Sequence, residues 1–331
     1  MEDKTSFRYN WIDYAKGVGI FLMVFGHSGF PTPIQKMIWS FHMPLFFFIS
    51  GMLFNREKYS TFSSLIKRIW KSLIIPYIFF SIINICGYIV INYTSGNALY
   101  AEWGGLRLLT NGWGGIALWF VSTLIITQFL FWLTCYVNKN SPTPIVVIGV
   151  ILLILSYLAH INNIELPYKI ENIGLSYVFY SIGFLSRNIV FESRPSLVIS
   201  ICLIFITLVG CQFFERFDIC SNNFSSGIPN ITLAFCGSIG TLFLCKSLES
   251  TNRYRLVKSL LSWGGKNTYA IMGLSQIVML LLIEFFKLVN VQGPLGSVLR
   301  MFILWSILVS STYILNKCFP TLVGKAKLPL Y

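Results

Sequence analysis

Charge is scarce in this chain, and acidic charge scarcer still. Only 11% of the 331 residues are charged, and 12 acidic side chains stand against 25 basic ones. A soluble domain carries about 25% charged residues, so a surface facing water on all sides is excluded. Histidine occurs at three positions only, 27, 42 and 160, and the eight cysteines (86, 135, 202, 211, 220, 236, 245 and 318) show no CxxC spacing. Most of those cysteines fall inside apolar runs, where the side chain behaves as a small hydrophobe, so neither a metal site nor a disulfide framework is expected. The amino terminus, MEDKTSFRYN, lacks the pattern of a cleavable signal. The first apolar run contains Asp13 and Lys16, no small-residue cleavage site follows it, and it is expected to stay as the first span.

What the chain has instead is apolar length: 55% of its residues are hydrophobic and 16% aromatic, with a mean hydropathy of +0.69. Apolar residues surround the whole helix over windows of roughly 20 residues, the length that crosses a hydrocarbon core about 30 Å thick. The expected fold is all-α, a polytopic transmembrane helix bundle forming a single domain over 1–331. Ten spans are expected, at about 11–28, 36–54, 72–93, 115–137, 144–160, 173–191, 195–214, 229–247, 268–288 and 297–316. The Gly- and Trp-rich stretch at 94–114 reads as an aromatic belt or as a re-entrant segment. No internal repeat of the kind found in inverted-repeat transporters is evident.

The distribution of basic residues tests that count. With both termini on the cytoplasmic side, 18 Lys and Arg fall on that side and 4 on the other, with Lys16, Lys287 and Arg300 in spans or at their edges. One missed or invented span would exchange the sides of all later loops and erase the asymmetry. The formal charge of +13 is therefore a matter of topology, and a nucleic-acid partner is not expected.

The ionisable residues inside the spans concentrate near the amino terminus. Lys16 and His27 are eleven residues apart, which on a helix means about 16 Å of rise and roughly 20° of rotation; Asp13 lies one turn earlier on nearly the same stripe. Such a stripe must face the bundle interior or a watery cavity. Asp13 and Lys16 read equally well as an ion pair that orients the helix or, for Lys16, as a contact for an anionic ligand. His27 and His42 lie on either side of a turn centred near residue 34, so in a helix hairpin they reach similar depth. Two imidazoles so placed point to function, and a histidine is suited to act as general base on a hydroxyl. His160 ends a span near an outer loop and reads as incidental. Lys67, Arg68 and Lys71 precede the third span; they read as topology signals or as a clamp for phosphates. Trp119 lines a pocket or packs in the core. No covalent nucleophile can be picked out by spacing.

The runs IDYAKGVGIFLMVFGH, FHMPLFFFISGMLF and IKRIWKSLIIPY, with the later LWF and GKNT, resemble the acyltransferase family 3 of integral membrane proteins, and within it the fucose 4-O-acetylase-like O-acetyltransferases. The resemblance implies a bundle of about ten helices in a bacterial plasma membrane that moves an acyl group, commonly acetyl from acetyl-coenzyme A, to a hydroxyl of a cell-envelope or exported carbohydrate. It implies His27 as the catalytic histidine, assisted by His42, and Lys16, Lys67, Arg68 and Lys71 as contacts for the donor; Asp13 and Trp119 are expected on the substrate side. No permanently bound cofactor and no metal are implied, and association with further copies of the chain is left open. Many relatives carry a further histidine about ten residues after the GKN motif, where this chain reads GLSQ, with Ser275 and Gln276. The alternative from another class is a glycan or glycolipid transporter whose polar stripe lines a permeation path.

Overall fold

The computed structural model describes residues 9–28, 31–95, 117–139, 141–194, 196–291 and 293–325. The described residues are all-helical; their only β feature is one isolated bridge between Asp218 and Asn223. The helices are α1 (Asn10–Gly26), α2 (Thr32–Trp39), α3 (His42–Met52), α4 (Phe62–Ile69), α5 (Ile75–Ser95), α6 (Trp119–Asn138), α7 (Pro142–Ile161), α8 (Ile173–Glu192), α9 (Leu197–Gly210), α10 (Ile228–Ser250), α11 (Arg255–Lys266), α12 (Thr268–Leu288) and α13 (Gly293–Cys318). The Gly- and Trp-rich stretch expected at 94–114 lies outside the described residues from position 96 onward.

Six helical stretches are long and apolar enough to cross a membrane by length and composition: 62–94, α6, α7, α10, α12 and the 295–318 part of α13. The chain is thus a multi-pass membrane protein. Each of the ten windows expected from hydropathy coincides with helix, but the second is not one helix. It breaks at Ser40–Phe41 into α2 and α3, of 8 and 11 residues. Pro44 accounts for the break: its ring would clash with the Ser40 carbonyl four residues back, and it has no N–H to donate there. Ending α2 at Trp39 places Pro44 in the first turn of α3, where neither penalty applies, and leaves His42 as the first residue of the new helix. The third window begins earlier than expected. A capping box at Thr61 and Ser64 starts α4, with the Ser64 amide donating to Thr61 Oγ1 at 3.2 Å and the Thr61 amide to Ser64 Oγ at 3.3 Å. A π-helical turn at Trp70–Ile74 then joins α4 to α5.

The centre of the bundle is α1, which packs against α3, α10, α11 and α12, while α3 packs against α8 and α10. Two close backbone approaches define it. A Cβ on Gly17 of α1 would meet the Leu261 carbonyl of α11, and one on Gly265 of α11 would meet that of Asp13. Small residues let backbones approach in this way where lipid tails supply no hydrophobic drive between helices. Polar side chains tie neighbours together within the apolar packing: Thr127 to Ser176 at 2.7 Å, Thr207 Oγ1 to the Leu233 carbonyl at 2.9 Å, and Asn84 Nδ2 to the Gly273 carbonyl at 2.9 Å. Lys246 donates to the carbonyls of Val190, Phe191 and Ser193 at the carboxyl end of α8, where a cation meets both unpaired carbonyls and the negative end of the helix dipole. At the periphery, α7 and α13 turn Val150, Ile151, Ile154, Val298 and Phe302 outward. In water these would form a large apolar patch; against lipid they are the matching surface.

Candidate active site

The seam between α1 and α12 holds two cavities in succession. The larger, of about 290 Å³, is lined by Lys16, Ile20 and Met23 of α1, by Thr268, Tyr269 and Met272 of α12, and by Arg68 and Ser72. The smaller, of about 110 Å³, follows one turn further along both helices: Val24 and His27 on one side, Ser275, Gln276 and Met279 on the other. Helical rise puts the basic end and the histidine end about 16 Å apart.

The larger cavity carries the cations. Lys16 is half-buried, and Arg68 reaches in from α4 with its guanidinium 5.1 Å from the ring centroid of Tyr59. Tyr59 is itself buried, and burial pushes its hydroxyl above the ordinary range against the opposing effect of Arg68. It remains a neutral hydroxyl and supports Arg68 through its ring face. The π turn adds a second support. Tyr269 donates its hydroxyl to the Leu73 carbonyl at 2.8 Å, which joins the start of α12 to the turn, and Ser72 Oγ is held by the Arg68 carbonyl at 2.8 Å. A π turn inserted in an α-helix is a frequent mark of functional sites.

His27 caps α1 as the first residue beyond it, and its ring lies 6.2 Å from that of Trp39. His42 is buried at the start of α3. Its Nδ1–H donates to the Ile38 carbonyl at 2.8 Å, which leaves Nε2 as the free lone pair. The two imidazoles are within electrostatic range of each other. So is a pair that spacing does not reveal. Arg216 and Asp218, in the loop between α9 and α10, form an ion pair at 2.8 Å and act electrostatically on His27. The Arg216 guanidinium lies 3.3 Å from the centroid of Trp39, and the Asp218 carboxylate also accepts from the Cys220 amide at 3.0 Å. His27 is therefore flanked by a fixed aromatic and a fixed ion pair. Only the tertiary fold joins residues 216 and 218 to residue 27, and no motif in that loop marks them.

The expected site residues divide accordingly. The structure brings Lys16 and Arg68 together in the larger cavity and puts His27 in the smaller one, with His42 within electrostatic range of it but lining neither. Lys67 is exposed and Lys71 half-exposed, and neither lines either of these two cavities. The π turn beginning at Trp70 breaks the α-helical periodicity that would otherwise put Lys67 and Lys71 on one face. Asp13 is buried beside Gly265 of α11, lining neither cavity. Trp119 belongs to the hydrophobic core, its ring 6.3 Å from Phe120, and Phe120 reaches the larger cavity in its place. His160 is bonded to Ser225 at 3.1 Å, away from both cavities. No cluster of metal-ligating side chains occurs among the described residues.

Among known proteins, the family model described as "Acyltransferase domain" matches residues 9–316. No curated protein and no solved structure matches the chain.

Proposed function

Because the chain belongs to this acyltransferase domain family, we propose that it is a membrane O-acyltransferase that carries an acetyl group from acetyl-coenzyme A to a hydroxyl of a cell-envelope carbohydrate, as the fucose 4-O-acetylase-like enzymes do. The observation that carries the reading is the pair of aligned cavities: cations line one, a histidine lines the other, and the same two helices wall both. A phosphorylated thioester donor has one strongly anionic end and one reactive end, and this arrangement suits both.

In the proposed reaction Lys16 and Arg68 neutralise phosphate charge at the basic end, and the methionines Met23, Met43 and Met272 give the donor's arm a pliable apolar lining. A ring nitrogen of His27 accepts the proton of the acceptor hydroxyl as its oxygen attacks the thioester carbonyl. The tetrahedral intermediate collapses with cleavage of the C–S bond, and the imidazolium returns its proton to the departing thiolate. The result is an ester and a free thiol. His42 and the Arg216–Asp218 pair act on the charge that develops on His27. Ten crossings with both termini in the cytoplasm would set the basic end toward the cytoplasmic donor and His27 toward the outer face of the cell membrane. The chain would then pass an acyl group across the bilayer without moving the coenzyme.

Thioester turnover by the purified protein in nanodiscs tests the reading. Wild type is expected to release free thiol from acetyl-coenzyme A, and His27→Ala to lose this activity by at least about a hundredfold, the lower bound for a general base, with its thermal midpoint retained. Wild type that neither binds nor turns over acetyl- or succinyl-coenzyme A would refute the enzyme and favour a glycan flippase, in which a polar seam needs no thioester.

A further inference from the structure

Two residues that line the smaller cavity, Ser275 and Gln276, carry three buried polar atoms with no protein partner among the described residues: the hydroxyl of Ser275 and both amide atoms of Gln276. Ser275 is 2% and Gln276 7% exposed. Across the cavity stands His27, and the other lining side chains are aliphatic or methionine, so none of them can satisfy an amide. Leaving buried polar groups unpaired costs on the order of 1–3 kcal/mol each; groups of this kind in a native core call for an explanation. A leucine at position 276 would fill the same space without that cost. The amide presents one acceptor and two donors side by side, and the serine adds a hydroxyl that both gives and receives.

We infer that Ser275 and Gln276 form the acceptor subsite, and that it selects an alcohol carrying a second hydroxyl on the carbon next to the one acylated. This rests on the acyl-transfer reading above and adds to it the class of acceptor. The reacting hydroxyl lies against His27. Its neighbour donates to Gln276 Oε1 and accepts from Gln276 Nε2 or Ser275 Oγ, satisfying in the complex what the free protein leaves unpaired. The cavity, at about 110 Å³, holds a small part of a sugar ring, so it reads two adjacent hydroxyls rather than a whole residue. An acceptor with one hydroxyl strands the amide again, and a site built to bond a hydroxyl discriminates strongly against an analogue that lacks it.

The test uses the intact protein in nanodiscs with acetyl-coenzyme A and a matched pair of soluble probes, cis-1,2-cyclohexanediol and cyclohexanol. Wild type is expected to acetylate the diol with at least about tenfold higher kcat/KM. In Gln276→Leu and in Gln276→Met that ratio is expected to fall toward one, with a thermal midpoint equal to or above that of wild type, because the orphaned amide is gone. Equal rates on the two alcohols in wild type would overturn the inference. So would a protein that turns over the thioester without acetylating the diol, or a preference that survives in both variants. Wild type silent toward the thioester itself would instead fail the acyltransferase reading on which the subsite depends, an outcome distinct from these three.

Discussion

Arg68 and Lys67 are adjacent in the chain and of equal charge, yet only Arg68 has its guanidinium fixed over Tyr59 and aimed into the larger cavity. The difference has a measurable consequence. A hydrogen bond between charged groups is worth about 1.5–3 kcal/mol, so Arg68→Gln should raise the KM for acetyl-coenzyme A by roughly ten- to a hundredfold. Lys67 is exposed, and an exposed cation contributes little to a specific contact. Lys67→Gln should change the same KM by less than about twofold. Equal effects of the two substitutions would mean that the basic run acts as a diffuse field. The basic triplet is visible in the sequence as a unit, but the choice of its middle member depends on which side of α4 faces the seam.

At the scale of elements, the site depends on how closely α1 and α11 approach. Gly17 and Gly265 each face a carbonyl of the opposite helix, so any side chain there pushes the helices apart and tilts the Lys16–His27 face away from α12. Overpacking of this kind costs about 1–3 kcal/mol. Gly265→Ala should therefore lower the thermal midpoint of the detergent-solubilised protein by several degrees, whereas Ser259→Ala, at an exposed position of the same helix, should leave it nearly unchanged. Hydropathy alone does not find α11: it is short and amphipathic, with basic residues that read as a cytoplasmic loop. The break between α2 and α3 was legible in principle through Pro44, but an uninterrupted apolar window concealed it. The π turn at Trp70–Ile74 had no sequence signal, because it differs from an α-helix by one residue in register and by nothing in composition.

For the whole molecule, the arrangement of helices separates a lipid-facing periphery from a packed, largely apolar interior that holds the two cavities. Ile151, at the middle of α7, is 52% exposed; on a soluble protein an arginine there would be harmless. At the centre of a membrane-spanning helix an arginine costs about 2.5–3.5 kcal/mol, so Ile151→Arg should reduce the fraction of protein that resists alkaline extraction from membranes. Retention at the wild-type level would argue against α7 as a lipid-facing span. By itself the sequence determined that the chain is an all-helical membrane protein, roughly where most of its helices run, and that Lys16 and His27 share one face of the first. It did so because hydropathy over a helical window and rotation by 100° per residue are local properties. The tertiary structure decided which basic residue meets the seam, that Arg216 and Asp218 flank His27, and that Ser275 and Gln276 lie opposite it with their polar atoms unpaired. Those relations join residues far apart in the chain, and nothing local to either partner encodes the distance between them once helices have packed.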